Sequence, residues 1–160
     1  MIMRLLFAGI FFCMCMIEGV VEAQTAQPLF YIERTLNANI VRYDAQVNNN
    51  GALDQKDPVI AYWLLNAEDG RRKSLGIMDR KMAYGISVKQ GQTKGEYILT
   101  IVSFKERPIR VYVVDGIARA EMNINGSPAL LEKVFVKTTG ALSRPQFIEF
   151  YGKDPVTGEE

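Results

Sequence analysis

The stretch that decides the fold class is Ile109-Arg110-Val111-Tyr112-Val113-Val114-Asp115-Gly116-Ile117-Ala118-Arg119-Ala120-Glu121-Met122-Asn123-Ile124. Two runs rich in β-branched and aromatic residues flank the Asp-Gly pair. A tight type I′ turn needs positive φ at both central residues, and Asp-Gly suits it. The spacing therefore predicts a β-hairpin, with strands over Ile109–Val114 and Ile117–Ile124.

Working outward, the same signature recurs. Residues 97–104 are apolar on both faces and read as the strongest strand, broken by Arg107-Pro108. Asn125-Gly126-Ser127-Pro128 reads as a turn, and residues 130–137 and 147–151 close the series as strands. Upstream, residues 39–47 place Val41, Tyr43, Ala45 and Val47 on one face and Arg42, Asp44 and Gln46 on the other, as a half-buried strand does. Residues 59–65 are apolar on both faces, as in a central strand. Residues 28–35 and 83–89 complete the set. Asn48-Asn49-Asn50-Gly51, residues 66–70 and residues 90–95 are loops, and Arg71-Arg72-Lys73 reads as a solvated turn. Residues 74–82 carry Leu75, Met78 and Met82 at helical spacing behind a capping Ser74, so a short helical turn is expected there. Eight or nine strands at short spacing, with no long crossover helix, predict an all-β fold. It would be a single antiparallel β-barrel or β-sandwich with one short helical segment, a barrel being preferred.

The first residues read differently. Met1 to Arg4 gives a positive start, residues 5–17 an apolar run, and Val21-Glu22-Ala23 small residues at a cleavage position. Residues 1–23 are expected to be a signal peptide and residues 24–160 one β-rich domain, exported to the periplasm or the exterior. The apolar run is shorter than the roughly 20 residues a spanning helix needs, so no stable membrane span is expected after cleavage. Cleavage leaves 137 of the 160 residues, with 18 basic and 16 acidic side chains and a net charge of +2. No basic stripe argues for nucleic acid.

Composition also restricts chemistry. The chain has no histidine, and its two cysteines, Cys13 and Cys15, fall in the removable segment. Catalysis with a histidine base, soft-metal ligation and disulfides are therefore excluded from the mature chain. Ser103 and Lys105 share a strand face but lack a strained nucleophile turn. Glu33, Asp44 and Glu149 would make a carboxylate-based hydrolase only if two converged in one cleft; Arg34, Arg42 and Arg119 are more ordinary cross-strand partners for them. Residues 46–57 echo a calcium loop weakly, with Gln46 and Asp57 where strong ligands belong. No metal, no cofactor and no catalytic residue is assigned.

Several phrases in order resemble one family: Pro28-Leu29-Phe30-Tyr31-Ile32-Glu33-Arg34, Asn37-Ala38-Asn39-Ile40-Val41-Arg42-Tyr43-Asp44, Leu53-Asp54-Gln55-Lys56-Asp57-Pro58-Val59 with Tyr62-Trp63, and Arg80-Lys81-Met82-Ala83-Tyr84-Gly85. Later come Lys105-Glu106-Arg107-Pro108, Ile124-Asn125-Gly126, Ile148-Glu149-Phe150-Tyr151-Gly152 and Thr157-Gly158-Glu159. The chain is similar to an uncharacterised group of exported, mainly bacterial proteins, domain of unknown function 4833. That resemblance implies a single exported domain and carries over no catalytic residue.

Aromatic residues lie on nearly every expected strand, which fits either an ordinary β core or a mouth that holds a ligand. The leading expectation is a non-enzymatic binding module for a small apolar molecule or an envelope component. Tyr62, Trp63, Arg80 and Tyr84 are its candidate ligand-binding residues, because they fall beside the helical segment. The alternative is a structural or interaction domain acting through an exposed sheet face or edge. Oligomeric state is left open.

Overall fold

The computed structural model describes residues 24–140 and 144–159. The expected signal segment, Cys13 and Cys15 included, lies outside the described residues. The strands, in chain order, are β1 (Thr25–Arg34), β2 (Asn37–Val47), β3 (Val59–Leu64), β4 (Arg72–Ser74), β5 (Ile86–Gln90), β6 (Tyr97–Ile101), β7 (Ile109–Val114), β8 (Ile117–Ile124), β9 (Ser127–Lys137) and β10 (Phe147–Lys153). One helical segment joins β4 to β5: α1 (Ile77–Asp79) runs straight into a π-helical turn, Arg80–Tyr84.

The hairpin of β7 and β8 forms as the sequence predicts. Asp115 and Gly116 have φ of 51° and 77°, the positive pair a type I′ turn requires. Asn125 and Gly126 repeat the device at 53° and 92°. A turn of two residues is enough there, because Ile124 already pairs with Ser127. Ser127 and Pro128, expected in the turn, therefore belong to β9. Pro128 is tolerated because β10 pairs with β9 only from Leu130 onward, so its missing N–H leaves no bond unmade on that edge.

The sheet order is β4-β3-β2-β1-β9-β8-β7-β6-β5, with β10 on β9 as well. Strand β9 is the junction. Leu130 pairs with both Glu121 of β8 and Lys153 of β10, while Lys133 pairs with both Tyr31 of β1 and Tyr151 of β10. Strands β8 and β1 thus follow one another along one edge of β9, and β10 covers the other. From this fork, one arm runs β1 to β4 and the second runs β8 back to β5. Strand β1 lies parallel to β9 and the other pairings among described residues are antiparallel.

This corrects the expected architecture. The sheet is mixed and curls into a half-barrel; it is neither a closed antiparallel barrel nor a sandwich. The physical reason lies at its two ends. Strand β4 is three residues long and all exposed, Arg72, Lys73 and Ser74, and β5 presents Ser87, Lys89 and Gln90 to solvent. Short, charged edges resist pairing. Strand β4 is also the strand that the reading of Arg71-Arg72-Lys73 as a solvated turn missed. Strand β3, read as central, is one strand from that edge.

The concave face holds the core. Val41, Tyr43, Ala45 and Val47 point inward as the alternation predicted, against Leu99, Ile101, Ile109, Val111, Leu131 and Val134. Burying an aliphatic side chain of this size contributes about 1.5–3 kcal/mol, so a core of this extent holds the described chain without a disulfide. Phe30 stacks on Tyr43 with centroids 4.6 Å apart. The helical segment spans the opening of the half-barrel. The Tyr43 hydroxyl donates to the Tyr84 carbonyl at 2.9 Å, Val102 N–H to the Gly85 carbonyl at 2.9 Å, and Ser103 Oγ to the Ala83 carbonyl at 2.7 Å. Both arms therefore grip it.

Candidate functional site

The four residues chosen from sequence separate into two groups. Trp63 and Tyr84 meet edge to face, centroids 5.1 Å apart, on the concave side. The Trp63 indole N–H donates to Asp79 Oδ2 at 3.0 Å, which ties β3 to α1. Each ring packs beside the other. Tyr62 points the opposite way, as alternation along β3 requires. Arg80 is exposed on the helical segment.

Tyr62 instead leads to an arrangement on the convex face. Across the sheet, Tyr151 pairs with Lys133, Lys133 with Tyr31, Tyr31 with Arg42, and Arg42 with Tyr62. One register row thus crosses β10, β9, β1, β2 and β3 and reads Tyr-Lys-Tyr-Arg-Tyr. Neighbouring strands lie about 4.8 Å apart, so successive tyrosines are about 10 Å apart.

Acidic side chains from the next positions pair with this row. Lys133 Nζ lies 3.2 Å from Glu33 Oε1 and 4.3 Å above the Tyr151 ring. That hydrogen bond to Glu33 holds the Lys133 ammonium above its ordinary value. The Tyr151 hydroxyl donates to Glu149 Oε2 at 2.8 Å, and this bond holds its titration above the usual range. At the other end Asp44 is 1% exposed. It accepts from the Tyr62 hydroxyl at 2.6 Å, lies 3.5 Å from both Arg42 Nε and Arg72 Nη2, and is roofed by the Arg72 guanidinium, 4.5 Å above the Tyr62 ring. Burial, and then the bond to Asp44, push the Tyr62 hydroxyl up to about 12.

Between these two ends the convex face opens into a groove of about 870 Å³. Tyr31, Arg42, Lys133, Tyr151, Glu132 and Asn125 are among the residues that line it. The groove is positioned by the fork, where β9 passes from β8 to β1 and β1 carries an irregularity between Pro28 and Phe30. Sequence reasoning named these aromatics only as members of a general set. Their grouping depends on register between strands far apart in the chain.

The remaining candidates are accounted for by local bonds. Glu33, Asp44 and Glu149 are each engaged as described above. Ser103 donates to the Ala83 carbonyl. In the loop with the calcium echo, Asn48 Oδ1 accepts from the amides of Asn50 and Ala52, and Asp54 Oδ1 from those of Lys56 and Asp57. Among the described residues no group of three or more His, Cys, Asp or Glu side chains is placed to hold a metal ion.

No curated protein and no solved structure matches the chain. A family described as a domain of unknown function, DUF4833, matches residues 30–160, which takes in the whole row and all of the groove's lining but Pro28 and Leu29. The chain belongs to that domain-of-unknown-function family.

Proposed function

We infer that this domain is a non-enzymatic binding module whose site is the convex groove, and that its ligand is an uncharged, extended polyol such as a saccharide chain. The observation that carries this reading is that four members of the row, Tyr151, Lys133, Tyr31 and Arg42, line the groove together. Lys133 and Arg42 are each paired with a carboxylate, so the row has little charge left for an anion. What it offers is ring faces and edges, with donors and acceptors of both kinds between them. Sugars present apolar C–H faces beside hydroxyls and match such a surface. An open groove suits a chain that passes through it, whereas a small apolar molecule gains most from enclosure. Export to a compartment rich in envelope glycans fits this reading and is proposed with it.

The test is affinity electrophoresis in gels carrying soluble neutral polysaccharides, together with pull-down on purified peptidoglycan. Retardation or retention by at least one glycan is expected, and Tyr31→Ala should weaken it roughly tenfold, or about 1.4 kcal/mol. Tyr31 is half-buried at the groove and is not a core residue, so thermal unfolding should confirm that the variant folds. Retention that Tyr31→Ala and Lys133→Ala leave intact would place the site elsewhere.

A second reading has one observation in its favour. Among the described residues the outer edge of β10 pairs with no strand, and it carries Phe147 and Tyr151, 47% and 43% exposed. An interaction domain could add a partner strand there. A concentration-dependent dimer lost on Ile148→Pro, with the monomer still folded, would favour it.

A further inference from the structure

The helical segment exposes a compact apolar patch that neither the groove nor the core uses. Ile77, Met78 and Met82 are 73%, 66% and 69% exposed, within six residues of chain. Helical spacing predicted Leu75, Met78 and Met82 on one face, yet only Leu75 is buried. The other two point away from the protein. Nor is the segment a frayed loop. Leu75 and Tyr84 anchor its two ends in the core, Tyr43 and Ser103 bond its carbonyls, and Trp63 bonds Asp79. Its apolar side chains are therefore held outward by a backbone fixed from both arms. A π-helical turn in that position is a feature found often at functional sites.

The exposed charges on the segment and on the adjoining β4 have one sign. Arg80 and Lys81 are exposed within it, and Lys73 is exposed on β4, opposite Trp63. Among the described residues none of these three cations has an ion-pair partner. The one acid in the segment, Asp79, is turned back, accepting from the Trp63 indole and from Gly76 N–H. A protruding apolar tip ringed by cations complements the surface of an anionic bilayer, where apolar side chains enter the headgroup boundary and lysines and arginines meet lipid phosphates. No helix among the described residues is long and apolar enough to cross a membrane. Contact would be made by the rim of the half-barrel lying on the surface.

We propose that Ile77, Met78 and Met82, with Lys73, Arg80 and Lys81, form a docking surface for anionic phospholipid membranes. The groove lies at the fork, lined from β1, β2, β8, β9 and β10, and shares no residue with this patch.

The test places a reporter at the tip. Met82→Trp in the full chain is mixed with vesicles of phosphatidylglycerol and phosphatidylcholine in equal parts, their acyl chains brominated. Emission of the added indole should be quenched, and quenching should fall away on vesicles of brominated phosphatidylcholine alone. Adding Lys73→Gln, Arg80→Gln and Lys81→Gln should weaken binding at least tenfold; all three positions are exposed, so the fold should survive. A chain that sediments with vesicles without quenching is held by another part, and the proposal is then wrong. Failure to bind either vesicle also overturns it. So does a discrete dimer that Ile77→Ser, Met78→Ser and Met82→Ser dissolve in the absence of lipid, since the patch would then receive a second copy of the chain.

Discussion

The two arms carry the same residue types on their convex faces and arrange them differently. On the β5–β8 arm, Glu121 accepts from Arg110 at 2.8 Å and from Tyr112 at 2.9 Å. Arg110 lies 4.5 Å above the Tyr112 ring and 3.4 Å from Glu96. That cluster satisfies itself within neighbouring strands. On the β1–β4 arm the acid at the equivalent centre, Asp44, is sealed beneath Tyr62 and Arg72, while the row continues through Arg42 and Tyr31 to an open groove. A closed cluster contributes to holding its strands in register. An open row that is fixed firmly at one end and reaches solvent at the other leaves side chains available to a ligand.

The sharpest way to break this comparison is at the two acids. Asp44→Ala leaves the buried Tyr62 hydroxyl without its acceptor, while Arg42 and Arg72 reach solvent, and should cost about 3 kcal/mol. Glu121→Ala, whose arginine partner is well exposed, should cost only about 1 kcal/mol. Urea unfolding followed by circular dichroism measures both. Equal costs would mean that the arms are alike, and that the sealed end of the row is nothing special.

The tyrosines make a smaller contrast. Both hydroxyls donate to a carboxylate; Tyr62→Phe, at the buried bond, should cost about 1.5–3 kcal/mol, against about 0.5–1.5 for Tyr112→Phe, whose part-buried bond competes with water. Alkaline pH sharpens the difference. The folded protein holds the Tyr62 proton up to about 12, against 10.0 for an ordinary tyrosine. Between those values the folded state binds more protons than the unfolded state, so stability falls as pH rises through that window. Tyr62→Phe should flatten the fall without abolishing it, because burial also raises the titration of Tyr43. Denaturation midpoints on either side of the window would show this, and an unchanged slope in the variant would contradict the burial of the Tyr62 hydroxyl.

The smallest effect belongs to the open end. Lys133→Gln breaks a half-exposed pair with Glu33 and should change stability by less than about 1 kcal/mol. A larger loss, measured by the same unfolding curves, would show that Lys133 holds the fork together and would weaken its assignment to a ligand.

What was legible in the sequence was local. Asp115-Gly116 and Asn125-Gly126 fixed two hairpins because turn backbone is decided by the residues that form it. Alternation over residues 39–47 placed Asp44 on the outer face and Val41 and Tyr43 within, and alternation likewise set Tyr62 and Trp63 back to back. Linear proximity left open which side chains share a face. Tyr62, Trp63, Arg80 and Tyr84 are close in the chain; Trp63 and Tyr84 meet ring to ring, and Tyr62 joins Asp44 on the other side of the sheet. The reading of residues 74–82 found a helical turn and could not tell which of its apolar residues would be covered.

The sequence by itself determined a β-rich chain, its tight turns and the inward face of β2, since each depends on period-two alternation or on two adjacent dihedral pairs. Only the tertiary structure decided that β1 would join β9 in parallel, that the sheet would fork and stay open, and that Tyr151, Lys133, Tyr31, Arg42 and Tyr62 would form one row. Those outcomes rest on register between distant strands, and a one-residue slip in any of them would turn the row into the core.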